Sequence, residues 1–151
     1  MESPNPMDHF AIRNTISRYC IALDTKDWEL LKQVFTPDVI ANYPFRDEMD
    51  SLEAVSQAIQ GRLGEVITQH ALTTQVIVVA ADGKTATGET YFTGAHFGHG
   101  KYEGTVLQAF GKYLDDLVCV GEGSGGYRDW RIKKRTVKFM KRIGDERIMD
   151  H

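Results

Sequence analysis

Residues 68–97 read TQHALTTQVIVVAADGKTATGETYFTGAHF. Two runs rich in Thr, Val and Ile flank Asp82-Gly83, and Asp-Gly supplies the positive backbone angles of a tight hairpin turn. The pattern predicts strands over 68–80 and 85–97, joined at 81–84. Gly98-His99-Gly100 turns the chain into a further strand over 101–114. A longer connection over 115–126, with glycines at 121, 123, 125 and 126, leads to a last strand over 127–140. Upstream the period changes from two to helical. Phe10, Ile12, Ile16, Tyr19, Cys20 and Leu23 predict a helix over 9–23, with Asp8 as its N-cap. A second helix carries Trp28, Leu31, Val34 and Phe35, is capped by Thr25 or Asp27, and stops at Thr36 because Pro37 follows. A short strand over 39–43, a polar loop over 44–50 and a third helix from Ser51 and Ala54 to Leu63 complete the order. Helices followed by consecutive antiparallel strands define an α+β class, one sheet with helices on one face.

The chain has 151 residues, 42% apolar and 26% charged, which suits one soluble domain able to bury a core without disulfides. We expect a flexible lead-in over 1–8, a domain over 9–140 and a charged tail over 141–151. The net charge of -3 argues against a basic nucleic-acid binder. Cys20 and Cys119 form no C-x-x-C pair, so neither a zinc knuckle nor a redox dithiol is expected. The N-terminus, with Pro4 and Pro6, does not read as a signal peptide, and no apolar run is long enough for a membrane span. A soluble cytoplasmic protein with no membrane partner is the expectation.

Four acid/base groups fall where a pocket can use them. Asp24 ends the first helix, Tyr43 ends the first strand, His70 lies early in the next strand and His96 late in the one after. The Asp82-Gly83 hairpin brings His70 opposite Ala95 and His96, but the pleat leaves open whether the two imidazoles share a face. Such a set performs proton transfer. An imidazole alternates between base and acid near neutral pH. A carboxylate fixes its tautomer, and a tyrosine hydroxyl donates to a developing enolate oxygen. Two histidines and an aspartate are also a facial-triad donor set, yet their wide spacing matches no compact metal motif. No P-loop and no Gly-x-Ser-x-Gly elbow is present. Trp28, Phe35, Phe92, Leu107 and Phe110 are candidates for the apolar lining of a cavity for a flat polycyclic substrate.

The segment Asp24-Thr25-Lys26-Asp27-Trp28, followed by Pro37 and Tyr43, resembles the opening of scytalone dehydratases. The wider pattern of Ile12-Arg13, Tyr19, Asp24, Trp28, Phe35, Pro37-Asp38 and Thr68-Gln69-His70 resembles SnoaL-like proteins of the NTF2-like superfamily over residues 9–140. The resemblance implies a cone: a curved sheet wrapped around helices, with a deep pocket. It implies a dehydratase or isomerase that needs no metal or organic cofactor. Asp24 would orient His70 as the base, His96 would assist, and Tyr43 with Tyr19 would hold the carbonyl oxygen of a small cyclic or polyketide-like substrate. It also implies a homo-oligomer, a trimer or dimer, associated through the exposed sheet face. Leu23 stands where a second tyrosine would precede the aspartate, Ala109 replaces the pocket asparagine, and Gly94 replaces an aspartate of a bile-acid dehydratase-like relative.

Blander readings stand beside these. Asp24 also fits a helix cap, the histidines fit ordinary strand positions, and the aromatics fit a core. The basic run Arg131, Lys133, Lys134, Arg135, Lys138, Lys141 and Arg142 reads as a solvated strand edge. The alternatives in function are a polyketide cyclase or epoxide hydrolase in the same pocket, or a non-catalytic ligand- or protein-binding module.

Overall fold

The computed structural model describes residues 3–150. Met1 and Glu2 of the expected lead-in and His151 of the tail lie outside the described residues. Helix α1 spans Asp8–Thr25 and ends where Lys26 takes a left-handed conformation, its N–H returning to the carbonyls of Ala22 and Leu23. The expected second helix is a 3-10 turn, Trp28–Gln33, capped by the Asp27 side chain. Strand β1 (Phe35–Tyr43) and the short β2 (Arg46–Met49) follow. Part of the expected polar loop is therefore a strand. Helix α2 (Leu52–Leu63) is capped by the Ser51 hydroxyl, which accepts from the Ala54 N–H.

Four long strands come next: β3 (Ile67–Val79), β4 (Thr85–Phe97), β5 (Val106–Glu122) and β6 (Arg128–Gly144). β5 starts later and runs further than its sequence suggests, because Gly100–Tyr102 forms a 3-10 turn and the strand continues through Gly121 to Glu122. The sheet order is β2-β1-β6-β5-β4-β3. β1 runs parallel to β6, and the other pairings are antiparallel. One face of the sheet packs on α1 and α2 around Ile12, Ile16, Leu31, Phe35 and Ile132, all fully buried.

The N-terminal helix is tied down by charge. The buried Asp8 carboxylate accepts from Arg128 at 2.6 and 3.1 Å and from the Trp130 indole at 3.0 Å. Burial alone would raise its pKa; the Arg128 and Trp130 donors outweigh that and hold it below the usual range. Asp8 thus anchors the start of α1 to β6; it is the first residue of the helix and not its cap, since the N-cap position belongs to Met7.

Two expectations about β6 are corrected. The basic run is not at a sheet edge, since β6 lies between β1 and β5. Arg135 is fully buried and pairs with Asp115 at 2.7 and 2.9 Å. Beyond β6, the tail is a 3-10 turn, Glu146–Met149, whose Ile148 and Met149 are buried against the body of the protein.

Candidate active site

The site begins with a register irregularity. From its hairpin turn, β3 pairs with β4 so that Val79 faces Ala86 and Gln75 faces Thr90. Continued unchanged, that register sets His70 opposite Ala95, pleated away from His96. A bulge between Leu72 and Gln75 shifts the pairing by one residue, and His70 faces Gly94 instead. Gly94 and His96 are two residues apart on one strand, so both imidazoles now project from the same face. Their rings lie 6.0 Å apart, edge to face. Gly94 supplies the room: a Cβ there would sit 3.2 Å from His70 Cδ2 and 3.5 Å from His96 Cε1.

Asp24, on the last turn of α1, meets this strand. His70 Nδ1–H donates to Asp24 Oδ1 at 2.7 Å, the His70 backbone N–H donates to Oδ2 at 2.9 Å, and the Thr68 hydroxyl donates to Oδ1 at 2.8 Å. Burial works to raise the Asp24 carboxyl, but these donors outweigh it and hold the group below the usual carboxylate range. The carboxylate is therefore ionised and can only accept. That places a His70 proton on Nδ1, so in the neutral ring Nε2 is the edge that can act as a base. His96 is also assigned by its partner. Its Nδ1 lies 3.1 Å from the Leu107 carbonyl oxygen, which only accepts, so His96 Nε2 is likewise unprotonated. Burial pushes the His96 pKa down to about 4, with repulsion from His70, Arg142 and Arg62 adding to it. His96 is thus a neutral acceptor at physiological pH.

Across the cavity, the Tyr19 and Tyr43 hydroxyls are 2.7 Å apart. One donates to the other, and one O–H remains to donate elsewhere. Burial raises the pKa of both, most strongly for Tyr19, so both stay protonated. Arg135 lies beneath them, its guanidinium carbon 4.3 Å from the Tyr19 ring centroid and 4.0 Å from that of Tyr113. Cys20 is buried nearby with its thiol pushed up to about 12, which makes it a packing group and not a nucleophile.

These groups open onto a cavity of about 70 Å³ between the helices and the inner sheet face. His70, His96, Tyr19, Tyr43 and Phe92 line it, with Leu23 and Ala109 as apolar wall. Asp24 stands behind His70, outside the cavity. Four expected lining residues are elsewhere, and the reason differs for each. Trp28 sits on the 3-10 turn, packed against the core from outside. Phe35 is in the core beside Arg135. Leu107 serves through its backbone carbonyl. Phe110 falls on the opposite pleat from Ala109 and so faces away.

Residues that the sequence did not flag complete the walls: Ile59 and Arg62 from α2, Val137, Phe139 and Arg142 from β6, and Met149 from the terminal 3-10 turn. Among the described residues no group of three or more His, Cys, Asp or Glu side chains is arranged to hold a metal ion. Among them, too, no helix is long and apolar enough to cross a membrane.

A curved six-stranded sheet closed over N-terminal helices, with a polar cluster inside the wide end, defines the NTF2-like class. Within that class the chain belongs to the SnoaL-like domain family, whose model matches residues 7–136. No curated protein sequence matches the chain. Solved structures share the fold at low identity. The Kfla4162 protein of Kribbella flavida is 18% identical, with 96% of this chain and 98% of that one covered and a TM-score of 0.82. A candidate scytalone dehydratase from Novosphingobium aromaticivorans is 20% identical, with 89% and 85% covered and a TM-score of 0.74. A type 2 hexachlorocyclohexane dehydrochlorinase, LinA, is 12% identical, with 91% and 88% covered and a TM-score of 0.74.

Proposed function

We propose that the protein is a cofactor-independent lyase that eliminates water from a small cyclic β-hydroxy ketone. The observation that carries this reading is the Asp24–His70 hydrogen bond, with the free edge of the imidazole opening onto a cavity that also holds His96 and the tyrosine pair. His70 Nε2 takes the proton alpha to the carbonyl, and the C–H electron pair moves into the enolate. The free hydroxyl hydrogen of the Tyr19–Tyr43 pair donates to the enolate oxygen. His96 Nε2 accepts a hydrogen bond from the β-hydroxyl and holds it beside the base. His70 then returns its proton to that oxygen, the C–O bond breaks, and an enone and water leave. The imidazolium formed midway is stabilised by the ionised Asp24. Two of the structural neighbours are, by their names, elimination catalysts, which supports this choice within a family of varied members.

The test is a panel of β-hydroxy cyclohexanones followed by ultraviolet absorption of the conjugated enone. Turnover that disappears in His70→Ala supports the proposal; turnover unchanged in that variant sinks it. We further propose self-association through the outer sheet face, where Ile67, Val76, Val78, Val120, Met140 and Ile143 are exposed. Light scattering that reports a monomer at micromolar concentration would contradict that.

A further inference from the structure

The cavity has a second polar end that the elimination chemistry does not use. Arg142 on β6 and Arg62 on α2 both line it. The Arg142 guanidinium pairs at 3.2 Å with Glu146, whose side chain is 65% exposed, so that pair is screened and easily exchanged. Arg142 Nε is buried with no hydrogen-bond partner among the described residues. Arg62 packs over the Phe45 ring at 5.7 Å and forms no salt bridge to a described residue. Burial lowers the Arg62 pKa and repulsion from Arg142 adds to it, while Asp150 and Glu146 offset this only in part. Two cations thus face one cavity without a buried anion between them, an arrangement that costs free energy until an anion enters.

The sheet register shows what spans the two ends. His70 faces Gly94, Gly94 faces Ala109, and Ala109 faces Arg142. The base and the guanidinium therefore stand at opposite ends of one row across four strands. The floor between them carries nothing larger than a methyl group. Three strand spacings set their Cα atoms about 14 Å apart along the sheet. The His70 and His96 rings cover Gly94, so the open floor is at Ala109, and a ring lying there has the imidazoles at one edge and Arg142 at the other.

We propose that Arg62 and Arg142 form a carboxylate subsite, and that the natural substrate is a cyclic acid whose carboxylate lies on the far side of the ring from its acidic carbon. This rests on the cavity being the substrate site, as proposed above. Arginine suits the role because its planar fork matches a carboxylate. Glu146 holds the place of the ligand in the empty protein and is displaced when it binds.

The experiment is a nitrogen–proton NMR titration of the full chain with benzoate and with benzamide, its uncharged counterpart. Benzoate should bind at least tenfold more tightly, with the largest shifts at the Gly94 and Ala109 amides. Arg142→Gln and Arg62→Gln should each abolish that preference, and Arg142→Lys should keep part of it. Glu146→Gln should bind benzoate several-fold more tightly. Should Arg142→Gln fail to fold, Arg62→Gln and Glu146→Gln carry the test. Equal affinity for the two probes, no binding of either, or a preference that survives both Arg→Gln changes overturns the proposal. His70→Asn separates this idea from the elimination reading. It should lose turnover and keep the benzoate preference, so either property can fail without the other.

Discussion

The two ends of the cavity treat charge in opposite ways. At the β3 end, the ionised Asp24 accepts three hydrogen bonds, from His70 twice and from Thr68. The groups that aim His70 are matched before a ligand arrives, and its Nε2 is left free toward the cavity. At the β6 end, Arg62 and Arg142 face the same space with, among the described residues, only the exposed carboxylates of Glu146 and Asp150 near them. The contrast separates preorganisation from recognition. A base must be aimed before the substrate binds, because reorganisation during the reaction adds to the barrier. A recognition group can wait unpaired, since the ligand itself supplies the missing charge. Between the two ends Arg135 shows the third arrangement: a cation fully buried, paired with Asp115 through Nε and one terminal nitrogen while the other terminal nitrogen has no hydrogen-bond partner among the described residues, and stacked beneath Tyr19 and Tyr113.

The largest effect should come from breaking the preorganised end. His70→Ala should lower turnover by about 10² to 10⁴, the span for loss of a general base, while circular dichroism still reports a folded chain. Breaking the buried pair should cost stability instead. Asp115→Asn leaves Arg135 as an uncompensated buried charge and should lower unfolding free energy by about 3–5 kcal/mol in urea titration. A loss below about 1 kcal/mol would mean the pair is replaceable.

Acid should then sharpen the contrast. An unfolded imidazole takes its proton near 6.5, whereas folded His96 does so only near about 4. Between those values the unfolded chain holds the extra proton, so the stability His96 permits above pH 6.5 is lost as pH falls through this window. The loss should reach at most about 3 kcal/mol. His96→Gln should flatten the profile there. The lowered Asp8 and Asp24 carboxyls make their own contribution near and below their ordinary value of 3.8, outside most of the window. The smallest effect expected is from Tyr43→Phe. It removes one of two hydroxyls and should lower turnover by about 10²-fold with little change in substrate affinity. An effect on affinity alone would place the tyrosines in binding and not in stabilising the enolate.

The β3 end was readable from the sequence and the β6 end was not, for a geometric reason. Asp24, Tyr43, His70 and His96 sit at element ends or on strands whose residue types point to chemistry. The Asp82-Gly83 turn fixed which strands pair. It did not fix the face, because the bulge between Leu72 and Gln75 leaves no mark in composition. β6 carries three such irregularities against β5, and two of them, at Asp116/Leu117 and at Phe110/Gly111, decide which arginines face inward. The first turns Arg135 inward after Ile132, and the second turns Arg142 inward after Phe139. Strict alternation through a run of seven basic residues cannot reveal that, so both arginines read as solvated. The aromatic lining failed similarly. Phe110 and Phe92 look alike in sequence, and only the pleat separates a wall residue from an outer one.

The central claim is that His70, aimed by Asp24, moves a proton at the carbon next to a carbonyl. The most direct measurement is deuterium exchange from heavy water into the alpha position of a β-hydroxy cyclohexanone, followed by proton NMR, with the wild-type protein, Asp24→Asn and His70→Asn. Exchange promoted by the wild-type protein and reduced by about 10² or more in both variants is the predicted result. Exchange at the same rate in all three, with all three folded, would contradict it.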